Sequence, residues 1–223
     1  MTIGVLIISA IFFADDLLLI APSKRKLRKL ISIMRRYFFS HKMELSTTKS
    51  KVITHDATEG EMIIEGDDVV DDISLDQVIH FKYLGVPINS APYSFFKNFN
   101  EQVRLRAQSY AYRVISLTRT GPNRAELAYT LWNQVALPSI LYGTEVIPVT
   151  KETIKEIEKC QSIVGKFILQ IPRSSTQASS NIDAGLRPIW SLIAERVLVY
   201  ARSTMEKSKT YWSKIVLDSS IAH

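Results

Sequence analysis

Asp15 and Asp16 stand side by side in the middle of an apolar run, Ile7 to Ala21, which reads Ile-Ile-Ser-Ala-Ile-Phe-Phe-Ala-Asp-Asp-Leu-Leu-Leu-Ile-Ala. Burying even one unpaired carboxylate costs several kcal/mol, so a chain that places two acids in such surroundings needs a cation to answer their charge. The apolar segments on either side are short and rich in Ile and Phe, the length and composition of strands. Asp tolerates tight turns and bonds its own backbone there, so Ala-Asp-Asp reads as the tip of a hairpin. The expectation is a buried hairpin with two carboxylates at its tip, a geometry that suits a divalent metal. An Asp-Asp pair alone is more often a solvated turn; the flanks are what favour chemistry.

The elements that would position this tip follow in order. Pro22 and Ser23 break the second strand, and Ser23 is a good N-cap. Leu27, Leu30, Ile31, Met34 and Phe38 then recur at helical spacing and predict an amphipathic helix from Lys24 to His41. Its other face carries Lys24, Arg25, Lys26, Arg28, Lys29, Arg35 and Arg36 with no acid among them, either a solvated face or one that meets phosphate or a partner. Met43 to Thr54 alternates loosely and reads as a strand. From Asp56 to Asp76 the charge inverts, with nine acids and no Lys or Arg. Their spacing is not that of an EF-hand, and the stretch reads as a solvated insertion around a small strand at Met62-Ile63-Ile64. Val78 to Ile88 is again β-rich.

Three segments within this half carry a resemblance. Phe-Ala-Asp-Asp at 13–16 followed by an apolar strand is similar to the hairpin motif of reverse transcriptases. Leu45-Ser46-Thr47-Thr48-Lys49-Ser50 resembles the motif that follows it, with Ser46 where the LINE-type pattern commonly has Asn. Phe81-Lys82-Tyr83-Leu84-Gly85-Val86 resembles the hairpin that grips the primer strand. Together, in this order, they resemble the non-LTR (LINE-like) retrotransposon branch. The resemblance implies Asp15 and Asp16 as metal ligands and catalytic residues, with Mg²⁺ or Mn²⁺ as the ion. It also implies Lys49 as the group facing the incoming triphosphate, and Lys82, Tyr83 and Gly85 as contacts to the primer backbone.

Beyond Pro92 the sequence turns helical. Phe96, Phe99, Val103, Tyr110, Val114 and Leu117 mark the apolar face of one long helix, which also carries Arg104, Arg106 and Arg113 as candidate nucleic-acid contacts. A second helix is expected from Arg124 towards Leu141 with a kink or break at Pro138. A third runs from Lys151 with Ile154, Ile157, Val164 and Ile168 on one face. Arg173 to Ser180 is a loop or weak helix start. Pro188 opens a last helix with Trp190, Ile193, Val197 and Tyr200, and Trp212 is expected to dock the tail. Leu137 to Glu145 and Ala184 to Ile189 resemble segments found after the palm in LINE-type enzymes. The fold class expected is α+β: a partial reverse-transcriptase palm of antiparallel strands with a packed helix over residues 1–92, then an all-helical thumb and post-thumb region over 93–223.

With 46% hydrophobic and 22% charged residues the chain is globular rather than disordered, and a net charge of +6 is compatible with a polyanionic partner. Cys160 is the one cysteine, so neither an intramolecular disulfide nor a cysteine-based zinc knuckle can form, and it is expected as a buried thiol. The apolar first residues lack the basic start of a signal peptide, and a membrane span there would put both aspartates near mid-bilayer. An intracellular protein is expected. The partners that the resemblance implies are an RNA template, a DNA primer and deoxynucleoside triphosphates.

Two-metal nucleotidyl transfer needs carboxylates from two places. In the family another Asp comes from an earlier palm strand and the nucleotide is held by fingers, and neither precedes residue 1. The expectation is therefore a polymerase fragment inactive alone. The alternative is a non-catalytic remnant or domesticated module that binds nucleic acid or a protein through its basic helices.

Overall fold

The structure, a computed structural model, describes residues 2–3, 6–7, 9–55, 60–66 and 71–207. Residues up to Pro92 belong to one compact unit and Tyr93–Lys207 form another. The architecture is α+β. Among the described residues the first unit combines short hairpins and a mixed sheet with one long helix, and the second is helical.

In the first unit β1 (Thr2–Ile3) and β2 (Leu6–Ile7) form a minimal antiparallel pair. β3 (Ala10–Phe13) and β4 (Asp16–Leu19) form the expected hairpin, with Phe13 opposite Asp16 and Ala14-Asp15 as a two-residue loop. Helix α1 (Lys24–Ser40) begins where Ser23 was expected to cap it: the Ser23 hydroxyl accepts from the Lys26 backbone N–H. Its apolar stripe is half-buried except at Ile31, which is buried. Ile31, with Leu27 beside it, packs on Val52, Met62, Ile64 and Leu75 of a three-stranded sheet and on Leu19 and Ile73. That sheet has the order β5 (Lys51–Val52), β7 (Ile73–Gln77), β6 (Gly60–Ile64), with β5 parallel and β6 antiparallel to β7. Lys51 pairs with Asp76 directly across the β5–β7 ladder and forms a salt bridge to it. A second hairpin joins β8 (His80–Tyr83) to β9 (Val86–Asn89).

Two sequence expectations need correction here. Met43 to Thr54 is not a strand beyond Lys51–Val52. Its Ser/Thr cluster closes on itself instead, with the Ser50 N–H donating to the Ser46 carbonyl (2.9 Å) and the Ser46 and Thr48 hydroxyls 3.2 Å apart. Such side chains offer the backbone a local alternative to a ladder. The acidic stretch is also more than a solvated insertion. Asp71, Asp72, Asp76, Glu61 and Glu65 are exposed, yet Met62, Ile64, Leu75 and Gln77 are buried because strand alternation sends them inward, with Met62, Ile64 and Leu75 in the sheet core. Asp56, Glu59, Asp67 and Asp68 lie outside the described residues.

In the second unit α2 (Pro92–Thr118) buries Phe99, Val103, Ala107, Ala111, Val114 and Thr118. Phe96 (51% exposed) and Leu117 (71%) do not share that face as the sequence suggested, and Tyr110 is only half-buried. Small residues, Ala107 and Ala111, take the close-approach positions instead, and a scan for large apolar side chains passes them over. Asn100 ties α2 to the segment ahead of the next long helix: its amide donates to the Phe96 and Pro148 carbonyls, and its Oδ1 accepts from the Thr150 N–H.

The helix from Arg124 is interrupted as expected, but before Pro138 rather than at it. α3 (Arg124–Leu131) passes into a π-helical turn at Trp132–Ala136 and then into α4 (Leu137–Ile140). Proline cannot donate to the preceding turn and its ring crowds a carbonyl there, and a widened turn relieves both problems. α5 (Lys151–Leu169) is capped by Thr150 and packs against α3, α6 (Gln177–Asp183) and α7 (Ile189–Met205). Gln161 lies fully buried at the centre, accepting from Trp132 Nε1 (3.2 Å) and donating to the Arg187 carbonyl (3.0 Å). Cys160 is a buried free thiol, its pKa pushed up by burial and then by Glu156. On α7 the expected core side chains face outward: Trp190 is 61% exposed, and Val197 and Tyr200 are exposed as well. Trp212 lies outside the described residues. Among those described, no helix is long and apolar enough to cross a membrane.

Candidate metal and nucleic-acid site

The β3–β4 loop turns in two residues, which demands a left-handed backbone at its start. Ala14 adopts it, with φ of +52°. A positive φ at the first loop position is the habit of the tight hairpin turns that match strand twist, and glycine is the usual occupant. Ala in that region costs about 1 kcal/mol, which the flanking ladder from Ala10↔Leu19 to Phe13↔Asp16 must offset. The result sets Asp15 at the tip, in the loop, and Asp16 one step later in the ladder. The two carboxylates are not buried, contrary to the sequence expectation. Both are exposed, as are Phe12 (59%) and Phe13 (61%). The apolar run reads as buried in sequence because strand composition does not reveal whether anything covers the hairpin.

The second hairpin is built differently. Leu84 and Gly85 have φ of +46° and +81°, so both loop residues are left-handed, and Gly85 takes this conformation without a Cβ penalty. Lys82 is exposed, as are His80 and Phe81 before it, while Tyr83 is half-buried. The Tyr83 hydroxyl is itself buried with no hydrogen-bond partner among the described residues. Burial first, and then the negative charge of Asp16, push the Tyr83 phenol above its ordinary value. The two hairpins are thus within electrostatic reach of each other at Asp16 and Tyr83. Sequence reading named both residues but gave no signal of their proximity, which depends on how two separate hairpins pack.

This coupling has a measurable consequence. A phenol whose folded-state pKa is raised contributes stability below its ordinary pKa, and that contribution is lost as pH rises past it. Asp16→Asn is expected to bring the Tyr83 pKa part of the way down, leaving the contribution of burial. Ultraviolet titration of the native chain minus Tyr83→Phe, repeated in the Asp16→Asn background, isolates the one phenol. An unmoved titration would show that Asp16 does not act on Tyr83.

Comparison with known proteins yields no match: neither a family model, a curated protein nor a solved structure aligns with this chain. The site is therefore read from its own residues.

Asp15 and Asp16 offer hard oxygen donors at an exposed tip, where water or phosphate oxygens can complete an octahedral shell, and the Asp15 carboxylate has no ion pair or hydrogen bond among the described residues. Their donor chemistry is that of hard-cation ligands such as those of Mg²⁺ or Mn²⁺. No group of three or more His, Cys, Asp or Glu side chains that could hold a metal occurs among the described residues. Lys49 lies in the exposed turn Thr47–Lys49 rather than on the strand that the sequence suggested.

The three arginines belong to the other unit and are not equivalent. Arg104 and Arg106 are two positions apart on α2, so they leave the helix in nearly opposite directions. Arg104 is engaged by Glu101 in an ion pair, and Arg106 donates to Gln102 Oε1 (3.4 Å). Arg113 is exposed, with its guanidinium 5.8 Å from the Tyr110 ring centroid. Arg106, Tyr110 and Arg113 fall on one face at i, i+4, i+7, a cationic and aromatic strip of the kind that meets a sugar–phosphate backbone.

Proposed function

We propose that this chain is part of an RNA-directed DNA polymerase of the non-LTR retrotransposon type, contributing the later part of the palm and the thumb, and that it is silent without a partner segment. The observation that carries the reading is the Phe-Ala-Asp-Asp segment as a two-residue hairpin with both carboxylates exposed at its tip and the Tyr-Leu-Gly hairpin close enough for Asp16 to act on Tyr83. Three motif-like segments in the order the family uses add support.

In this reading Asp15 holds Mg²⁺ or Mn²⁺ and Asp16 supports it. A bound divalent ion would polarise phosphoryl oxygens and stabilise charge on the attacking and leaving oxygens. Lys49, on its exposed turn, neutralises charge on the triphosphate of an incoming nucleotide. Lys82 meets the primer phosphates, and Gly85 lets the backbone approach them closely. Arg104, Arg106 and Arg113 contact the RNA template and DNA primer in the second unit, Arg104 exchanging Glu101 for phosphate.

Two carboxylates do not make a complete two-metal platform, and orientation of the nucleotide alone supplies about 7–11 kcal/mol of barrier reduction when a site is whole. The purified chain is therefore expected to give no primer extension on an RNA template with Mg²⁺ or Mn²⁺. Addition in trans of a segment carrying an upstream palm strand with its Asp and the nucleotide-binding fingers of a non-LTR enzyme is expected to restore it. Nucleic-acid binding with no extension under any complementation would favour the remnant.

A further inference from the structure

Helix α1 carries a group of exposed cations that no interaction among the described residues explains. Arg25, Lys26, Arg28 and Lys29 crowd its first two turns and are all exposed. None of the four side chains makes an ion pair or hydrogen bond among the described residues, whereas six other Lys or Arg side chains there do pair with carboxylates. The first turn of α1 contains no acid. Cations at a helix N-terminus oppose the helix dipole and cost a few tenths of a kcal/mol each, so this arrangement is unfavourable for the isolated fold.

Direction on the helix sharpens the point. At about 100° per residue, Leu27 and Ile31 point into the sheet core, and Arg25 and Lys29 point almost directly away from it, with Arg28 and Lys26 on either flank. From Arg25 to Lys29 the cluster covers about 6 Å of the helix axis at 1.5 Å per residue. The N-terminal amides are not the feature in question, because the Ser23 hydroxyl already accepts from one of them.

The class of partner follows from what the helix has left to offer. An amphipathic helix that binds a membrane surface lays its apolar face into the lipid. Here Ile31 and Leu27 of that face already pack with Val52, Met62, Ile64 and Leu75, while the exposed apolar side chains Ile33, Tyr37 and Phe39 lie in the later turns, beyond the cations of the first two. What remains in the first two turns is a close cluster of cations, the complement of closely spaced anions. A nucleic-acid duplex presents a charge about every 1.7 Å of its axis, so the cluster faces about three to four phosphates. We infer that the outer face of α1, centred on Arg25, Arg28 and Lys29 with Lys26 beside them, is a docking surface for the phosphate backbone of a nucleic-acid duplex. It goes beyond the polymerase reading and does not depend on it, since it requires neither the aspartate tip nor the second unit.

The test uses the full chain and a labelled 20-base-pair duplex of random sequence, with binding followed by anisotropy from 50 to 300 mM salt. Arg25→Gln, Lys26→Gln, Arg28→Gln and Lys29→Gln combined are expected to weaken binding more than tenfold at 100 mM salt and to flatten the log–log salt slope by about 3.6, near 0.9 for each lost phosphate contact. Melting temperature should hold or rise, because the opposing dipole interaction is relieved. The charge-preserving variant Arg25→Lys with Arg28→Lys should bind as the native chain does, which separates loss of charge from misfolding. No binding by the native chain, or an unchanged slope in the Gln variant, would overturn the inference. So would equal affinity of the native chain for phosphatidylserine vesicles or polyglutamate. Loss of primer extension in Asp15→Asn with the salt slope intact would leave the two readings cleanly separated.

Discussion

Asp15→Asn is expected to lower primer extension by the trans-complemented enzyme about a thousandfold while leaving the fold unchanged. A metal ligand that stabilises charge in the transition state is worth several kcal/mol, and about 4 kcal/mol corresponds to three orders of magnitude in rate. The structural side of the prediction comes from position. Asp15 sits in the loop, outside the ladder, exposed, and its carboxylate is unpartnered among the described residues. An exposed substitution of that kind shifts stability by no more than about 0.5 kcal/mol. Asp16 differs: it is the first ladder residue, opposite Phe13, and its charge acts on Tyr83. Asp16→Asn should therefore cost less in rate than Asp15→Asn and move the Tyr83 titration, which Asp15→Asn should not. Single-nucleotide incorporation with saturating primer–template and Mg²⁺ measures the first effect. Undiminished incorporation in Asp15→Asn would remove the hairpin tip from the chemistry.

The parts of this fold that could be read from sequence are those fixed within a few residues. Pro22, Ser23 and the apolar spacing from Leu27 to Phe38 specify α1 locally, and the helix spans Lys24–Ser40 with Ser23 as its cap. Phe13 to Asp16 likewise specifies its own turn. The misreadings concern what a segment meets. β5 and β7 pair across more than twenty residues, so Val52 gains a ladder partner that nothing nearby in sequence announces, and Lys49 falls outside it. Burial fails for the same reason. Phe12, Phe13, Leu117 and Trp190 are apolar but exposed, whereas Gln161 and Ser162 are polar and buried because each finds a partner on another element. Of the candidate site, the residues of each hairpin were legible, and the electrostatic link between Asp16 and Tyr83 was not. Gly165 was silent too, although it governs a close backbone approach in the second unit.

That approach yields the largest expected effect on stability. Gly165 lies in α5 where α6 crosses it, and a Cβ built there would stand 2.8 Å from the Ser180 carbonyl oxygen and 3.3 Å from Leu186 Cδ1. The obstacle is backbone, so it cannot swing aside as the end of a long side chain can. Beside it the hydroxyls of Ser162 and Ser180 lie 2.8 Å apart, a buried bond that holds only while the helices stay close. Two effects of Gly165→Ala oppose each other. Helix propensity favours Ala by about 1 kcal/mol. Forcing the helices apart costs about 1–3 kcal/mol for overpacking and about 1 kcal/mol more for the strained hydrogen bond. Separation wins, and Gly165→Ala is expected to destabilise the second unit, with Gly165→Leu lowering its stability by more than about 3 kcal/mol. Against a typical total of about 5–15 kcal/mol, the Leu variant should populate the unfolded state well before the native chain does in urea. Gly121→Ala is the control, since its Cβ would meet nothing nearer than the Thr118 carbonyl oxygen at 4.0 Å. Urea unfolding followed by tryptophan fluorescence reads the second unit through buried Trp132. A Gly165→Ala chain more stable than the native one would show that α5 and α6 are not packed this closely, since propensity alone would then have set the sign.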